Sequence, residues 1–244
     1  MAESRSVWML GTGRCGSRIF AKMLSLSPDV LAVHDAGPLF PPSWPNGDPL
    51  QGGRLARAKQ AWDQGLVYGE SSPPLAQAAY RLAESLPNAK FVHLYRDPRN
   101  ATIAGLRVGW TTKEFPGVDE RRLSPHPTVW PKDEETASRW TEMDVPERCA
   151  WLWSSINRFI LGFRDTYPNR CMGLPAEALF APSITPLYDL FDWLEVKRSG
   201  ACDIIRVAGK KHDYPQLLDL EYVNWSDEWD QYLPRDLMER LGYA

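Results

Sequence analysis

Two short apolar runs, residues 7–10 and 91–95, each lead through a turn into a stretch with apolar residues at helical spacing. These helical stretches cover residues 18–26 and 100–108. A strand, a turn and a helix that recur along a chain are typical of parallel strands joined by helical crossovers. We therefore predict an α/β fold in which a central parallel sheet is flanked by helices.

The same periodicity predicts the other large elements. Residues 75–86 carry a helical pattern that begins after two prolines, and they are expected to form a crossover helix. Further helices are predicted over residues 150–163 and 184–194, and residues 225–243 form an amphipathic tail. Residues 36–54 and 111–147 are polar and punctuated by proline, so we predict two long loop insertions there, within one domain of 244 residues.

The turn after the first apolar run has the composition of an anion-binding loop. Glycines at positions 11, 13 and 16 allow tight backbone turns that direct N–H groups inward. The helix that follows presents the positive end of its dipole to the same point. The loop therefore predicts a site for a phosphate-like anion.

This loop has the glycine spacing of the nucleotide-binding pattern GxxxxGK[ST] but not its functional side chains. Ser17 occupies the lysine position, and Arg18 occupies the position of the hydroxyl that binds magnesium. Arg14 supplies a fixed cation inside the loop, suited to a tetrahedral oxyanion. We expect a P-loop-like architecture that binds an anion without the lysine and hydroxyl of an ATPase.

A second cation follows the strand predicted over residues 91–95. The sequence FVHLYRDP, residues 91–98, places Arg96 at the carboxyl end of that strand, where ligands bind in open α/β sheets. Arg14 and Arg96 would then satisfy two separate anionic groups of one ligand. A mononucleotide phosphorylated at both ends of its ribose fits this requirement.

Composition limits the possible partners. The net charge is −3 and the basic residues are scattered, which excludes a broad nucleic-acid surface. The chain lacks the apolar run of a signal peptide or membrane span, so we expect a cytoplasmic protein without a membrane partner.

The four cysteines are far apart and the histidines are not clustered, which predicts free thiols and no metal site. Cys15 is either a small buried residue or, in its positive environment, a thiol of lowered pKa.

Three ordered segments resemble the sulfotransferases that use 3′-phosphoadenosine 5′-phosphosulfate (PAPS), especially bacterial members and the tyrosylprotein and carbohydrate branches. They are GTGRCGSRIFAKML, residues 11–24; YGESSPPLAQAAYRLAESLPNAKFVHLYRDPRNATIAG, residues 68–105; and WSDEWDQYLPRDLMERLGY, residues 225–243. The resemblance implies transfer of a sulfuryl group from PAPS, without a metal, to a hydroxyl or amine of an acceptor. The acceptor is expected to be a small molecule or carbohydrate held by the two loop insertions.

The resemblance also assigns binding residues. It places the 5′-phosphosulfate on Arg14, Cys15, Gly16, Ser17 and Arg18, and the 3′-phosphate on a motif that begins at Arg96.

The chain departs from the family pattern at two points. The 3′-phosphate motif usually has a serine where this chain has Ala104, and Thr102 or Arg107 is available to replace it. Many relatives have a lysine at the position of Ser71, so the missing cation is either absent or supplied from elsewhere. Lys210 and Lys211 are the candidates for that cation.

The acceptor must also lose a proton. Residues 27–35, SPDVLAVHD, resemble the segment in which the tyrosylprotein branch carries its catalytic glutamate, and Asp35 falls on that position. His34 is adjacent and titrates near neutral pH without help, whereas a carboxylate needs desolvation to become a useful base. We favour Asp35 by position, then His34. Glu70 is the third candidate for the base or a carboxylate that contacts the substrate, or it simply caps the following helix.

Two other functions fit part of the pattern: a P-loop nucleotide kinase or NTPase, and a nucleotide-binding protein without catalytic activity.

Some of the eleven tryptophans lie in or beside the predicted loops, where they would stack on an acceptor, and others follow helical patterns typical of core packing. The first group is Trp44, Trp110, Trp130 and Trp140, and the second is Trp151, Trp153 and Trp193. His93 alternates with its strand neighbours and is predicted to lie in the core.

Overall fold

The computed structural model describes residues 5–35, 50, 53–110, 126–208 and 224–244. Within these residues, five strands form one parallel sheet in the order β2-β3-β1-β4-β5. The strands are β1 (Ser6–Leu10), β2 (Val30–His34), β3 (Val67–Ser71), β4 (Ala89–Tyr95) and β5 (Cys171–Pro175). The predicted parallel sheet is confirmed.

The strand β1 lies in the centre of the sheet and pairs on both sides. Val7 is in register with Gly69 of β3 and with Lys90 of β4. Every residue of β1 is buried, as expected of a parallel strand covered on both faces. Because parallel strands end at the same edge, the segments that follow β1, β2, β3 and β4 meet at one edge of the sheet.

Helices cover both faces of this sheet. Those of the described residues are α1 (Ser17–Leu24), α2 (Arg54–Asp63), α3 (Ala79–Ser85), α4 (Pro98–Arg107), α5 (Glu134–Arg139), α6 (Val145–Thr166), α7 (Thr185–Leu194), α8 (Ala201–Ala208) and α9 (Arg235–Leu241). No helix among these combines the length and the apolar composition needed to cross a bilayer.

The two faces of β1 belong to different hydrophobic clusters, because successive strand residues point to opposite sides. Trp8 packs into the cluster built with Phe91 and Phe163, on the side of α3 and α6. Met9 packs into the cluster built with Phe20 and Phe191, on the side of α1 and α7. The fold therefore has three layers, with the sheet between two layers of helices.

Two predictions of local structure need correction. Residues 73–78 form a 3₁₀ helix before α3 begins, because Pro73 and Pro74 favour a tight turn over a full α-helix there. The loop predicted over residues 111–147 is wrong where α5 forms and where α6 begins at Val145. The side chains of Asp133 and Asp144 accept hydrogen bonds from backbone N–H groups at the starts of these helices and stabilise them.

The other predicted insertion, residues 36–54, lies mostly outside the described residues, as do residues 111–125 of the second. The last residue of the insertion predicted over residues 36–54, Arg54, is the first residue of α2. The tail predicted over residues 225–243 consists of a 3₁₀ helix, Asp227–Tyr232, and α9.

Candidate functional site

The loop between β1 and α1, residues 11–16, has several left-handed residues, as anion-binding nests do, and we call it the anion loop. Gly13, Arg14 and Gly16 have φ angles of 82°, 51° and 86°. A left-handed residue next to a right-handed one, as at Gly16 before the start of α1, turns successive N–H groups toward one concave side, which suits an anion. Arg14 adopts this conformation without being glycine, a cost that persists only where surrounding structure imposes it. The helix α1 begins directly after the loop, at Ser17.

Close packing explains Gly11, whereas the left-handed backbone explains Gly13. A Cβ atom on Gly11 would lie 2.5 Å from the carbonyl oxygen of Leu94 in β4, so a side chain has no room there. A Cβ atom on Gly13 would contact Trp110 at 3.4 Å and Pro73 at 3.7 Å. The loop is thus pressed against β4 on one side and against the segment after β3 on the other.

The structure brings the two predicted arginines together. Arg96 directly follows β4, and its Nη1 donates a hydrogen bond to the carbonyl oxygen of Arg14 at 3.1 Å. The carbonyl oxygen of Arg96 in turn accepts a hydrogen bond from the indole Nε1 of Trp153 in α6, at 3.0 Å. The second cation is therefore held in place by α6 and supports the loop that carries the first.

The turn after Arg96 has supporting residues that the sequence did not reveal. The Asp97 carboxylate accepts a hydrogen bond from the backbone N–H of Asn100 and caps α4, as a helix start requires. The backbone N–H of Asp97 donates to Glu177 at 3.0 Å, and the Tyr243 hydroxyl donates to the same carboxylate at 2.8 Å. Burial, followed by the hydrogen bond to Glu177, raises the pKa of Tyr243. The end of the chain thus fixes the turn that carries Arg96.

At the start of α1, three polar side chains lie in a row. The Ser17 hydroxyl oxygen is 3.1 Å from Nε2 of His34, the last residue of β2. On the other side of the ring, Nδ1 is 3.1 Å from an oxygen of the Asp35 carboxylate. Asp35 has a φ angle of 49°, a left-handed conformation that aspartate tolerates better than most residues. The structure therefore brings both predicted base candidates to the edge of the anion loop.

The electrostatics of this row keep the imidazole neutral. Desolvation is the largest effect on His34 and lowers its pKa, the Asp35 carboxylate raises it, and the Arg18 guanidinium lowers it again. The net shift is downward from the ordinary value, which favours the neutral imidazole with one unprotonated ring nitrogen at neutral pH. The His34 side chain is one-fifth exposed and that of Asp35 is 42% exposed, so solvent reaches part of each.

Ser71, which stands where many of the resembling proteins have lysine, ties this row to β3. Its hydroxyl donates a hydrogen bond to the carbonyl oxygen of Ser17 at 2.7 Å, and its own carbonyl accepts one from the backbone N–H of Asp35 at 3.3 Å. The side chain is buried. Ser71 therefore has a structural contact at the site, which its place in the sequence alone could not show.

Glu70, the third base candidate, is separated from the others by burial. The Glu70 side chain is completely inaccessible to solvent, and the Arg54 side chain is 1% exposed. The Nε of Arg54 donates a hydrogen bond to the Glu70 carboxylate at 2.7 Å. The other carboxylate oxygen accepts a hydrogen bond from the Tyr68 hydroxyl at 2.9 Å. A carboxylate enclosed in this way does not reach an acceptor in solution, and these contacts indicate a structural role.

The remaining assigned residues differ in what they offer a ligand. Cys15 is fully buried, and burial raises the pKa of its thiol to about 11, which supports the interpretation as a packing residue. Thr102 is also fully buried, and its hydroxyl has no hydrogen-bond partner among the described residues. Ala104 is half-buried in α4 and has no polar group. Lys210 and Lys211 lie outside the described residues.

The aromatic residues divide into core and site groups. Trp140 packs edge-on against Trp151 at 5.2 Å, and Trp130 packs against Phe159 at 5.1 Å, so both contribute to the cluster around α6. Trp110 lies against the anion loop, as described above, and Trp44 lies outside the described residues.

Phe180 is an aromatic residue that the sequence did not single out. It follows β5 and is 51% exposed, and its ring lies 3.8 Å from where a Cβ atom of Gly16 would be. The only signal in the sequence is one phenylalanine in a short connecting segment. The structure thus places an accessible aromatic surface beside the anion loop.

His93 is buried, as predicted, and its Nε2 lies 2.8 Å from the side-chain oxygen of Asn157. In the part of the chain that the structure describes, histidine, cysteine, aspartate and glutamate do not cluster in a way that could hold a metal ion.

Comparison with family models and with curated proteins finds no match to this chain. Comparison with solved structures does find matches. The chain is similar to the sulfotransferase domain from the curacin biosynthetic pathway, with a TM-score of 0.53 and 15% sequence identity, over 98% of this chain and 97% of that one. It is also similar to the sulfotransferase domain from the Synechococcus PCC 7002 olefin synthase, with a TM-score of 0.55 and 16% sequence identity, over 99% of this chain and 96% of that one.

Both matches span nearly the full length of each chain, at low sequence identity. They agree with the observed three-layer arrangement and with the predicted P-loop-like architecture. The chain has the α/β fold of these sulfotransferase domains.

Proposed function

We propose that this protein is a sulfotransferase that moves a sulfuryl group from PAPS to a hydroxyl or amine of an acceptor. One observation supports it most: a nest with Arg14 and a strand end with Arg96 are joined by a hydrogen bond at one edge of the sheet. The fold is that of the two sulfotransferase domains described above. The acceptor that we propose is a small molecule or carbohydrate.

The nucleotide would be bound by three parts of this edge. The N–H groups of the loop and the start of α1 would bind the 5′-phosphosulfate. The Arg96 guanidinium would bind the 3′-phosphate, as a charge-assisted hydrogen-bond donor. Phe180 offers an exposed ring beside Gly16, on which a purine base would stack.

The chemistry requires little covalent participation by the protein. Sulfuryl transfer resembles phosphoryl transfer, in which positioning and charge stabilisation supply most of the rate enhancement. Arg14 would stabilise the charge that develops on the bridging oxygen as the sulfur–oxygen bond breaks. A sulfuryl group is less anionic than a phosphoryl group and does not need magnesium to shield it from the nucleophile. The replacement of the lysine and the hydroxyl of GxxxxGK[ST] by Ser17 and Arg18 fits this proposal.

The base would come from the pair His34 and Asp35. Both reach the edge of the anion loop, the imidazole is neutral, and the carboxylate faces Nδ1. This arrangement favours His34 as the group that takes the proton, with Asp35 stabilising the resulting imidazolium. It reverses the order of preference that position in the sequence suggests. Glu70 is buried against Arg54 and is not part of this proposal.

Nucleotide binding gives the first test. Adenosine 3′,5′-bisphosphate should raise the melting temperature much more than 5′-AMP at the same concentration, because only the bisphosphate has the 3′-phosphate that Arg96 would bind. Arg96→Ala should weaken its binding by ~1.5–3 kcal/mol, the scale of a charge-assisted hydrogen bond. Arg158→Ala is the matched control, since Arg158 pairs with Asp236 on an exposed surface. Equal shifts with the two nucleotides would contradict the assignment of Arg96.

Turnover gives the second test. Transfer of labelled sulfate from PAPS to a panel of hydroxyl and amine acceptors, followed by mass spectrometry, should detect a sulfated product in the presence of EDTA. A strict magnesium requirement with ATP as the donor would instead support the nucleotide kinase. Tight binding of adenosine 3′,5′-bisphosphate without any product would support the nucleotide-binding protein without catalytic activity.

A further inference from the structure

Both nitrogens of the His34 ring already have neighbours. Nε2 lies 3.1 Å from the Ser17 hydroxyl oxygen, and Nδ1 lies 3.1 Å from the Asp35 carboxylate. An imidazole accepts a proton only through a nitrogen with a free lone pair. An acceptor molecule therefore has no direct access to a ring nitrogen unless it displaces Ser17 or Asp35.

The carboxylate determines which ring nitrogen carries the proton. An ionised carboxylate only accepts hydrogen bonds, so Asp35 favours the tautomer with the proton on Nδ1. In that tautomer Nε2 has the lone pair, and the Ser17 hydroxyl donates its single proton to it. The serine oxygen then keeps its own lone pairs for a donor on its other side.

Ser17 is well placed to receive such a donor. It is the first residue of α1, directly after the loop, and Ser71 fixes its carbonyl oxygen from β3. The positive end of the helix dipole favours negative charge on an oxygen at this position. In the proposed complex this is also where the loop presents the phosphosulfate.

We propose that the Ser17 hydroxyl is a catalytic group that relays the acceptor's proton to His34. This inference rests on the proposed sulfuryl transfer and deepens it. The acceptor's proton passes to the Ser17 oxygen while the Ser17 proton passes to Nε2 of His34. The acceptor oxygen forms a bond to sulfur, and the bond between sulfur and the bridging oxygen breaks. Adenosine 3′,5′-bisphosphate leaves with that electron pair, and the imidazolium remains beside Asp35.

The charges around His34 suit this step. Arg18 on α1 and burial both disfavour the imidazolium before the reaction, and Asp35 stabilises it once it forms. The row therefore begins as a neutral serine and imidazole beside one carboxylate. It ends as an ion pair of imidazolium and carboxylate, with the serine hydroxyl regenerated.

The kinetic test compares acceptors that differ in whether they need to lose a proton. Phenol has a pKa near that of tyrosine, about 10, whereas an acidic nitrophenol is already ionised in mildly alkaline buffer. Ser17→Ala should lower kcat for phenol by roughly 10²–10⁴, the range for loss of general acid–base catalysis, and affect the nitrophenol much less. Ser17→Thr keeps a hydroxyl and should recover a large part of the activity with phenol. Ser25→Ala is the matched control, because Ser25 contacts a carbonyl at the other end of α1.

The second test observes His34 directly and does not depend on turnover. The chain has four histidines, so nitrogen NMR of the imidazoles is simple to assign with His34→Gln. We expect the tautomer protonated at Nδ1 at neutral pH. Ser17→Ala should raise the pKa of His34, because a hydrogen bond to the neutral form is lost, and Asp35→Asn should lower it. Ser25→Ala should leave it unchanged.

Three results would overturn the relay. A loss of the same size with both phenols would mean that Ser17 only positions the donor. A protein species heavier by one sulfuryl group at Ser17 would make it a nucleophile instead. A His34 protonated at Nε2 would remove the hydrogen bond on which the relay depends. If the wild type binds adenosine 3′,5′-bisphosphate, shows the expected His34 tautomer and sulfates nothing, the proposed function fails while the serine–histidine contact stands.

Discussion

Replacement of Glu70 by glutamine should destabilise the protein and leave its chemistry intact once it is folded. The carboxylate is completely buried and accepts hydrogen bonds from Arg54 at 2.7 Å and Tyr68 at 2.9 Å. Glutamine has nearly the same shape but no charge. It therefore leaves the buried Arg54 guanidinium facing an amide in place of a carboxylate.

The expected cost follows from burial. Breaking a buried ion pair by removing one charge costs about 3–5 kcal/mol, because the other charge stays desolvated. For a domain of this size about 1 kcal/mol lowers Tm by 2–4 °C, so Glu70→Gln should lower Tm by roughly 6–20 °C. Tyr68→Phe removes a hydrogen bond to a buried, charged oxygen and should cost about 1.5–3 kcal/mol, because that oxygen then loses its donor. Arg54→Met with Glu70→Leu should recover much of the loss, since apolar residues often replace a buried pair without penalty.

Urea unfolding, followed by circular dichroism, measures these differences. Binding of adenosine 3′,5′-bisphosphate and kcat are then compared at a temperature where both proteins are folded. Asp236→Asn is the control, because it breaks an exposed ion pair with Arg158, and it should change the unfolding midpoint very little. A Glu70→Gln protein of wild-type stability that has lost its catalytic step would refute this reasoning and return Glu70 to the list of bases.

Two further predictions concern packing and pH. Gly11→Ala should lower the free energy of unfolding by about 1–3 kcal/mol, because the new Cβ atom would overpack against Leu94, and it should weaken the binding of adenosine 3′,5′-bisphosphate. Gly162→Ala in α6 has open space around the new methyl group and should be neutral or stabilising. Equal effects of the two alanines in calorimetry would contradict the close contact. Burial lowers the pKa of His93 to about 3 from 6.5, so the unfolded chain binds more protons between these values. Stability should therefore fall as the pH drops from about 6.5 toward 3, by up to about 1.4 kcal/mol per pH unit, and His93→Gln should reduce this slope. An identical pH profile of unfolding for both proteins would show that His93 does not cause it.

The sequence predicts the centre of the fold better than its periphery. The strands β1 and β4 are read correctly because both are buried on both faces and consist of mostly apolar residues that end at a turn. The strand β3 is hidden because its five residues include Gly69 and the charged Glu70, and only the contact with Arg54 explains a charge there. The helix α5 is missed because it has no buried residues and therefore no apolar stripe.

The candidate site shows a similar division. The glycine turn after β1 and the position of Arg96 at a strand end are predictable, because glycine spacing and the end of an apolar run reflect local backbone requirements. The contact between Ser17 and His34 is not, because it depends on how closely α1 packs against β2, which residue types do not specify. The role of Ser71 is not predictable either, because it also depends on packing between segments distant in the sequence. Ser71 lies where a lysine is expected, and its hydroxyl donates a hydrogen bond to the carbonyl oxygen of Ser17.

The position of β1 between β3 and β4 has a consequence for how the protein folds. The strand that delivers the anion loop finds its partners about 60 and 80 residues later in the chain, since Val7 pairs with Gly69 and Lys90. Contacts at such separation form slowly, because the entropy of closing the intervening chain is lost before they contribute. During synthesis, the loop would emerge early but would lack its supporting strand until β4 and Arg96 had left the ribosome. Ligand binding would then report completion of the sheet's centre, and a nascent chain shorter than about one hundred residues should not bind the nucleotide.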